Sequence, residues 1–211
     1  MFSSRTVAQL LRSIEIVPTN NTRIEAANPD TNFRSSDLAL GLGINFLLNM
    51  PKTGFLSSLY FDSSSFVSAK LKLVPKSSLA AEPDNIEIYA YAINNVSFDL
   101  RNATWNSYNG DNAWTTPGGL GNKDSSSESR SIYQHYVGVP IEVDITEPVR
   151  SNLDKGGSMQ LILSGAGTEI WSYHDLSATI ETNRPIITVY YKSYQDSWRL
   201  GSPSVPTMPS L

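Results

Sequence analysis

Apolar and polar residues alternate with a period of two in several short segments of this chain. In 69–73 three apolar residues alternate with two lysines, and in 141–145 three apolar residues alternate with two acidic residues. Because successive side chains of a strand point to opposite faces of a sheet, this pattern predicts strands with one buried and one solvated face. Further strands are predicted at 38–42, 58–62, 86–92 and 187–191, and at the short continuous apolar runs 46–48 and 161–163.

Turn-forming sequences separate these segments. Pro-Lys-Thr-Gly at 51–54 and Asp-Lys-Gly-Gly at 154–157 both have the composition of tight turns. No long segment between the strands carries the 3.6-residue period of a helix. Seven or eight strands without intervening helices predict an all-β fold, in which antiparallel sheets pack as a sandwich over 37–192.

Residues 1–36 are predicted to form an N-terminal arm outside the sandwich. Val7, Leu10 and Leu11 lie at helical spacing with Ile14, which predicts a short amphipathic turn. A proline and two asparagines shortly afterwards end this turn. Both a frayed terminus and a docking segment fit the pattern.

Residues 193–211 are predicted to form a second, C-terminal arm. This segment contains three prolines among serines. Proline lacks the backbone N–H that a sheet ladder needs, so the segment is expected to be extended.

The composition narrows the classes of function. A chain of 211 residues with 40% hydrophobic residues suits one domain with a sizeable core. The absence of cysteine excludes disulfides, thiolate nucleophiles and cysteine zinc sites. The net charge of −4 and the scattered basic residues argue against nucleic-acid binding. No apolar run reaches the ~18 residues of a membrane span, and charged residues interrupt any signal-peptide core near the N-terminus.

Four sequence blocks follow one another along the chain: Leu-Tyr-Phe-Asp at 59–62 with 67–73, Ala-Thr-Trp-Asn at 103–106 with Trp114 and 117–119, Trp-Ser-Tyr-His-Asp at 171–175, and 184–191. Together, and in this order, they resemble the DNRLRE-type β-sandwich domains. The family's arginine-bearing strand is replaced here by Ser-Ser-Leu-Tyr at 57–60. The resemblance implies a jelly-roll β-sandwich without catalytic activity, of the kind found in carbohydrate-binding modules and in surface and virion proteins.

A polar segment at 99–130 holds the candidate ligand-binding residues. Aromatic rings offer apolar faces to the C–H surface of sugars, while Asn and Asp side chains bond to hydroxyls. A glycan site is therefore one interpretation, and the alternative is that the tryptophans close one end of the sandwich with their N–H groups bonded to loop carbonyls. The candidate glycan-binding residues are Trp105, Tyr108, Asp111, Asn112 and Trp114.

The same segment holds weak candidates for a calcium site. Ca²⁺ prefers six to eight oxygen ligands, which aspartate side chains can supply. Asp99, Asp111 and Asp124 are the candidates, although no glutamate follows at the offset of an EF-hand loop.

Catalysis is not expected. His135 and His174 are the only histidines, and no Gly-x-Ser-x-Gly elbow or separated pair of catalytic carboxylates accompanies them. The 123–129 segment is interpreted as a solvated loop tip.

These observations favour a structural or adhesion subunit of a large assembly, such as the capsid decoration, neck or tail of a phage virion. Its partners would be copies of itself or other virion proteins, met through the two arms at the virion surface. The alternative is a carbohydrate-binding module at a cell surface. The residues expected in subunit contacts are Val7, Leu10, Leu11, Trp198, Leu200, Val205 and Met208.

Overall fold

The computed structural model describes residues 9–34, 37–50, 64–78, 85–93, 97–153, 159–166 and 169–194. The described residues form twelve strands, one seven-residue helix α1 (Thr146–Asn152) and a 3-10 turn at Glu181–Asn183. None of these helical segments could cross a bilayer. The strands are β1 (Gln9–Ile16), β2 (Asn20–Glu25), β3 (Leu38–Leu40), β4 (Ile44–Met50), β5 (Phe66–Leu73), β6 (Pro75–Ser78), β7 (Asn85–Ile93), β8 (Ser125–Gln134), β9 (Ile141–Asp144), β10 (Met159–Ala166), β11 (Trp171–Tyr173) and β12 (Ile186–Tyr194).

The strands form three sheets, and every pairing between them is antiparallel. The strand orders are β1-β12-β5-β9, β2-β4-β10-β7-β8 and β3-β11-β6. Most neighbours in space are therefore not consecutive in sequence, and the chain passes repeatedly from one sheet to another. The predicted all-β, antiparallel class is confirmed.

One large apolar core is shared by all three sheets. Leu71 comes from the four-stranded sheet, Leu163 from the five-stranded sheet and Leu40 from the three-stranded sheet, and each is fully buried. The period-two prediction for 69–73 is confirmed, because its three apolar residues are buried while the two lysines keep contact with solvent. Burial of this apolar surface is the main stabilising contribution to the fold.

A second, smaller core lies on the opposite face of the five-stranded sheet. Leu47 of β4 and Ile162 of β10 point away from the large core, yet both are completely buried. They are covered by the connection between β7 and β8, whose residues 97–124 we call the loop layer. Coverage on both faces explains why 46–48 and 161–163 are continuous apolar runs rather than alternating ones.

The prediction of an arm at residues 1–36 is wrong for 9–25. Residues Gln9–Ile16 form β1, which pairs with β12 along its whole length, and Asn20–Glu25 form β2, which pairs with β4. The predicted helical turn is likewise wrong where it is described. Helical spacing of a few apolar residues is a weak local signal, and a full ladder of backbone hydrogen bonds with β12 outweighs it.

The interpretation of 99–130 as one polar loop is also wrong at its end. Residues 125–130 belong to β8, so 123–129 is not a solvated loop tip, and Asp124 is only 1% exposed. Serine occupies most of the start of β8, which leaves no apolar alternation to read there. The strand predicted at 58–62, the turn at 154–157 and residues 195–211 of the C-terminal arm lie outside the described residues.

Candidate functional site

The loop layer is held against the five-stranded sheet by buried side-chain amides. Gln160 of β10 bonds both backbone groups of Phe98, donating from Nε2 to O at 3.1 Å and accepting at Oε1 from N at 3.0 Å. Asn45 of β4 donates from Nδ2 to the carbonyl of Gly118 at 2.9 Å. Because an unsatisfied buried amide is costly, these bonds fix where the loop enters and leaves the sheet face. Neither residue could be predicted as a contact of the loop from the sequence, since a lone polar residue in an apolar strand has no distinctive pattern.

Trp114 is the anchor of the smaller core. It is 4% exposed, and its Nε1 donates to the carbonyl of Thr104 at 3.0 Å. Tyr108 packs edge-on against its ring, with 5.6 Å between centroids. The prediction that Trp114 provides a stacking surface for glycans is therefore wrong, because the ring has no exposed face. The alternative interpretation is confirmed in that the indole is packed and its N–H bonds to a loop carbonyl. Its position differs from the prediction, because Trp114 packs on a face of the five-stranded sheet rather than at one end of the sandwich.

Trp105 is half-buried and packs against the smaller core. Its carbonyl accepts from the N–H of Gly118 at 2.7 Å. Gly118 has φ +89°, and a Cβ built on it would lie 2.8 Å from Cη2 of the Trp105 ring. The glycine therefore allows its backbone to approach one side of the indole, and that side is closed to a ligand.

Asp111 and Asn112 lie at the exposed tip of the loop layer. Both backbone N–H groups donate to Oδ1 of Asn109, at 3.2 and 2.8 Å, in an Asx turn. The carbonyl of Asn112 accepts from the N–H of Tyr108 at 3.0 Å. A glycan-binding role for Trp105, Tyr108, Asp111 and Asn112 stays a prediction.

The three calcium candidates do not converge. Asp124 is buried, and its carboxylate accepts from Thr115 Oγ1 at 2.5 Å and from the N–H groups of Thr115 and Thr116 at 3.1 Å each. Asp99 accepts from the N–H of Arg101 and from Nδ2 of Asn102. These carboxylates hold their own turns, and no metal-ligand group of three or more His, Cys, Asp or Glu side chains occurs in the described part of the chain.

Two tyrosines stand where the loop layer ends on the sheet face. Tyr89 and Tyr91 point to the same side of β7, with ring centroids 6.4 Å apart and ring planes within 16°. Tyr91 packs against the smaller core. Burial, followed by the nearby Glu128 carboxylate and Tyr89, raises the pKa of Tyr91 to about 12, so its hydroxyl stays protonated at neutral pH. The sequence pattern predicts this side of the strand only as the face opposite the core.

His135 is completely buried between the sheets. Its Nε2 lies 2.6 Å from the hydroxyl of Tyr173, its Nδ1 lies 3.4 Å from the carbonyl of Tyr133, and its ring packs on Trp171 with 4.8 Å between centroids. A carbonyl can only accept, so Nδ1 carries the proton and Nε2 accepts from the tyrosine hydroxyl. Desolvation lowers the pKa of His135 to about 4, and burial raises the pKa of Tyr173. The imidazole is therefore a neutral part of the core.

His174 lines an open cleft of about 400 Å³, together with Asn183 and Ile180. Its Nε2 lies 3.5 Å from Nδ2 of Asn183. Across the cleft, Lys76 and Asp37 form an ion pair at 2.7 Å. The adjacent Asp175 caps a turn by accepting from the N–H and hydroxyl of Ser177, and so is not held as a partner for the imidazole.

β1 forms one edge of the four-stranded sheet as described. Leu11, predicted to lie in subunit contacts, is 64% exposed on this strand, and Leu10 is 36% exposed. Val17, directly after the strand, is 55% exposed. The other residues predicted to lie in subunit contacts are outside the described part of the chain: Val7, Trp198, Leu200, Val205 and Met208.

No family model matches this chain, and a comparison with curated proteins found no similar sequence.

Proposed function

We propose that this chain is a non-catalytic subunit of a larger protein assembly, and that edge strand β1 is one of its contact surfaces. The observation that supports the proposal most directly is Leu11, a leucine that is 64% exposed on a sheet edge. An edge strand presents a row of backbone donors and acceptors to a further strand. Strand addition to such an edge is a common way for proteins to bind extended segments.

The composition of β1 fits a surface that is covered on assembly. All eight residues pair with β12 on one side, from Gln9 opposite Tyr194 to Ile16 opposite Ile187. Ile14 and Ile16 pack on the large core and hold the strand in place. The exposed leucine side chains then give a neighbouring strand apolar surface to bury, in addition to backbone hydrogen bonds.

We further propose that the sheets form a jelly-roll sandwich of the DNRLRE type. Antiparallel sheets with mostly non-consecutive neighbours and a shared apolar core support this topology. A phage virion remains the assembly that the sequence favours, with the virion surface as the location.

The proposal of a non-catalytic role is supported by the two histidines. His135 has no exposed surface and so cannot meet a substrate. His174 faces a cleft in which its Nε2 lies 3.5 Å from the amide nitrogen of Asn183, and an amide is not a group that activates a nucleophile.

The test is the solution mass of the full chain, measured by light scattering over a wide range of concentrations. Wild type is compared with Leu11→Glu and with Leu42→Glu, a matched control at a leucine 71% exposed in the turn before β4. We expect wild type and the control to self-associate and Leu11→Glu to stay monomeric. A wild-type chain that is monomeric throughout, or equal loss in both variants, would contradict an assembly contact at β1.

A further inference from the structure

A small cleft lies where the start of the loop layer meets strands β2 and β4 of the five-stranded sheet. Its volume is about 150 Å³. Asn49 of β4 and Asn20 of β2 are directly opposite each other in the antiparallel pair, so they share one face of the sheet and line the cleft from that side. Residues 98–101 of the loop layer line it as well, together with Arg34 from the segment after β2.

Side-chain hydrogen bonds to the backbone hold the two segments that carry arginines into this cleft. Asn32 donates from Nδ2 to the carbonyl of Ala103 in the loop layer at 2.7 Å. Its Oδ1 accepts from the backbone N–H of Arg34 at 3.1 Å. On the loop layer, Asp99 Oδ1 accepts from the backbone N–H of Arg101 at 3.0 Å. The backbones of both arginines are therefore fixed at the cleft before any ligand binds.

Three polar groups of the cleft are unpaired within the described part of the chain. Arg34 and Arg101 are both exposed, and neither guanidinium forms an ion pair there. The side-chain oxygen Oδ1 of Asn49 is buried and accepts no hydrogen bond. Asp99 is the one carboxylate among the described lining residues, so positive charge is in excess. The cleft thus combines two free cations with a buried acceptor that needs a donor.

We propose that this cleft, lined by Arg34, Arg101 and Asn49, binds inorganic phosphate. Guanidiniums bind phosphate oxygens through charge-assisted hydrogen bonds. Phosphate keeps a proton at neutral pH, and its P–OH group supplies the donor that Asn49 Oδ1 lacks. Sulfate has no such proton, so it would leave that buried oxygen unsatisfied and would be repelled by Asp99. The cleft lies on the sheet that does not contain β1, so phosphate binding is a function additional to assembly.

The experiment measures the phosphorus NMR linewidth of inorganic phosphate during titration with the full chain, at pH 7 and constant ionic strength. Sulfate and glycerol 3-phosphate are added as competitors in separate titrations. Arg34→Gln and Arg101→Gln each remove one guanidinium, and Asn49→Ala removes the unpaired oxygen. Arg12→Gln is the matched control, an exposed arginine of β1 in the four-stranded sheet. Thermal unfolding confirms that each variant folds.

We expect wild type and Arg12→Gln to bind phosphate equally, and each variant of Arg34 or Arg101 to bind about ten-fold or more weakly. Sulfate should bind wild type about ten-fold or more weakly than phosphate does, and Asn49→Ala should reduce this difference. Glycerol 3-phosphate should also compete weakly, because a phosphate monoester loses its second proton near about pH 6.

The proposal is overturned if phosphate does not bind, if both arginine variants bind as wild type does, or if either competitor binds as tightly as phosphate. Equal binding of glycerol 3-phosphate would assign the cleft to an esterified phosphate instead. Should Asn49→Ala not fold, the competition with sulfate and the two exposed arginines still decide the outcome.

Discussion

Acidification should destabilise this protein through His135, well before its carboxylates are protonated in bulk. Burial lowers the pKa of this imidazole from 6.5 to about 4 in the folded chain. In the unfolded chain the same group titrates near its ordinary value of about 6.5. Protonation in the fold would also place an N–H against the Tyr173 hydroxyl, which now donates to that nitrogen.

The sign and size of this change in unfolding free energy follow from the pKa values of His135 in the folded and unfolded chains. The stabilisation is fully present above about pH 6.5 and is lost as the pH falls toward 4. Over this range the unfolded chain binds a proton at His135 that the folded chain does not bind. A difference of about 2.5 pKa units corresponds to about 3 kcal/mol of unfolding free energy. Near pH 5, where only the unfolded state is protonated, the contribution to the slope approaches about 1.4 kcal/mol per pH unit.

Urea unfolding followed by tryptophan fluorescence, at several pH values between 7 and 4.5, measures this slope. His135→Gln should lose most of the histidine contribution, whereas His174→Gln, at the half-buried histidine of the cleft, should keep it. If wild type and His135→Gln show the same dependence of unfolding free energy on pH, His135 is not its source. An NMR titration of the wild-type imidazole gives an independent check, since a pKa of His135 near 6.5 in the folded chain would lead to the same conclusion.

Other predictions follow from the loop layer. Trp114→Ala should lower the unfolding free energy by about 3–5 kcal/mol in urea titrations. Gly119→Ala should lower the unfolding free energy more than Gly138→Ala does. The two glycines have similar φ values, +75° and +79°, but only at Gly119 would a Cβ lie 2.5 Å from Ile162 Cδ1. Urea titrations should show a difference of about 1–3 kcal/mol in unfolding free energy between the two variants. Asp124→Asn should lower the unfolding free energy by about 1.5–3 kcal/mol in urea titrations. If this carboxylate only holds its turn, added Ca²⁺ should leave the melting temperature of the wild-type protein unchanged.

Strands with one wet face could be predicted from the sequence because their burial depends on alternation alone. In 141–145 the apolar residues are buried and the acidic residues Glu142 and Asp144 are exposed. In 86–92 the inward residues, among them Ile88 and Ala90, are buried as predicted, while the outward residues are half-buried. Where each side chain of a strand meets either core or solvent, as in 141–145, the local pattern carries the whole signal.

The remaining elements depend on partners distant in sequence. β1 becomes a strand because β12, more than 170 residues later, pairs with it. The sequence predicts a loop at the start of β8 because the inward positions Ser129 and Ser131 are small and polar. The segment becomes a strand through its backbone hydrogen bonds with β7. No local rule shows that Gln160 bonds to Phe98 across 62 positions and so folds the loop layer onto the sheet.

The position of the loop layer decides which aromatic residues can meet a ligand. Tryptophans in a polar loop suggest a binding surface when the loop is taken as projecting into solvent. Here the loop folds back, and Trp114 is buried against Ile162 instead. Of the aromatic rings that the sequence offers for binding, that of Trp114 is therefore removed from the surface by folding.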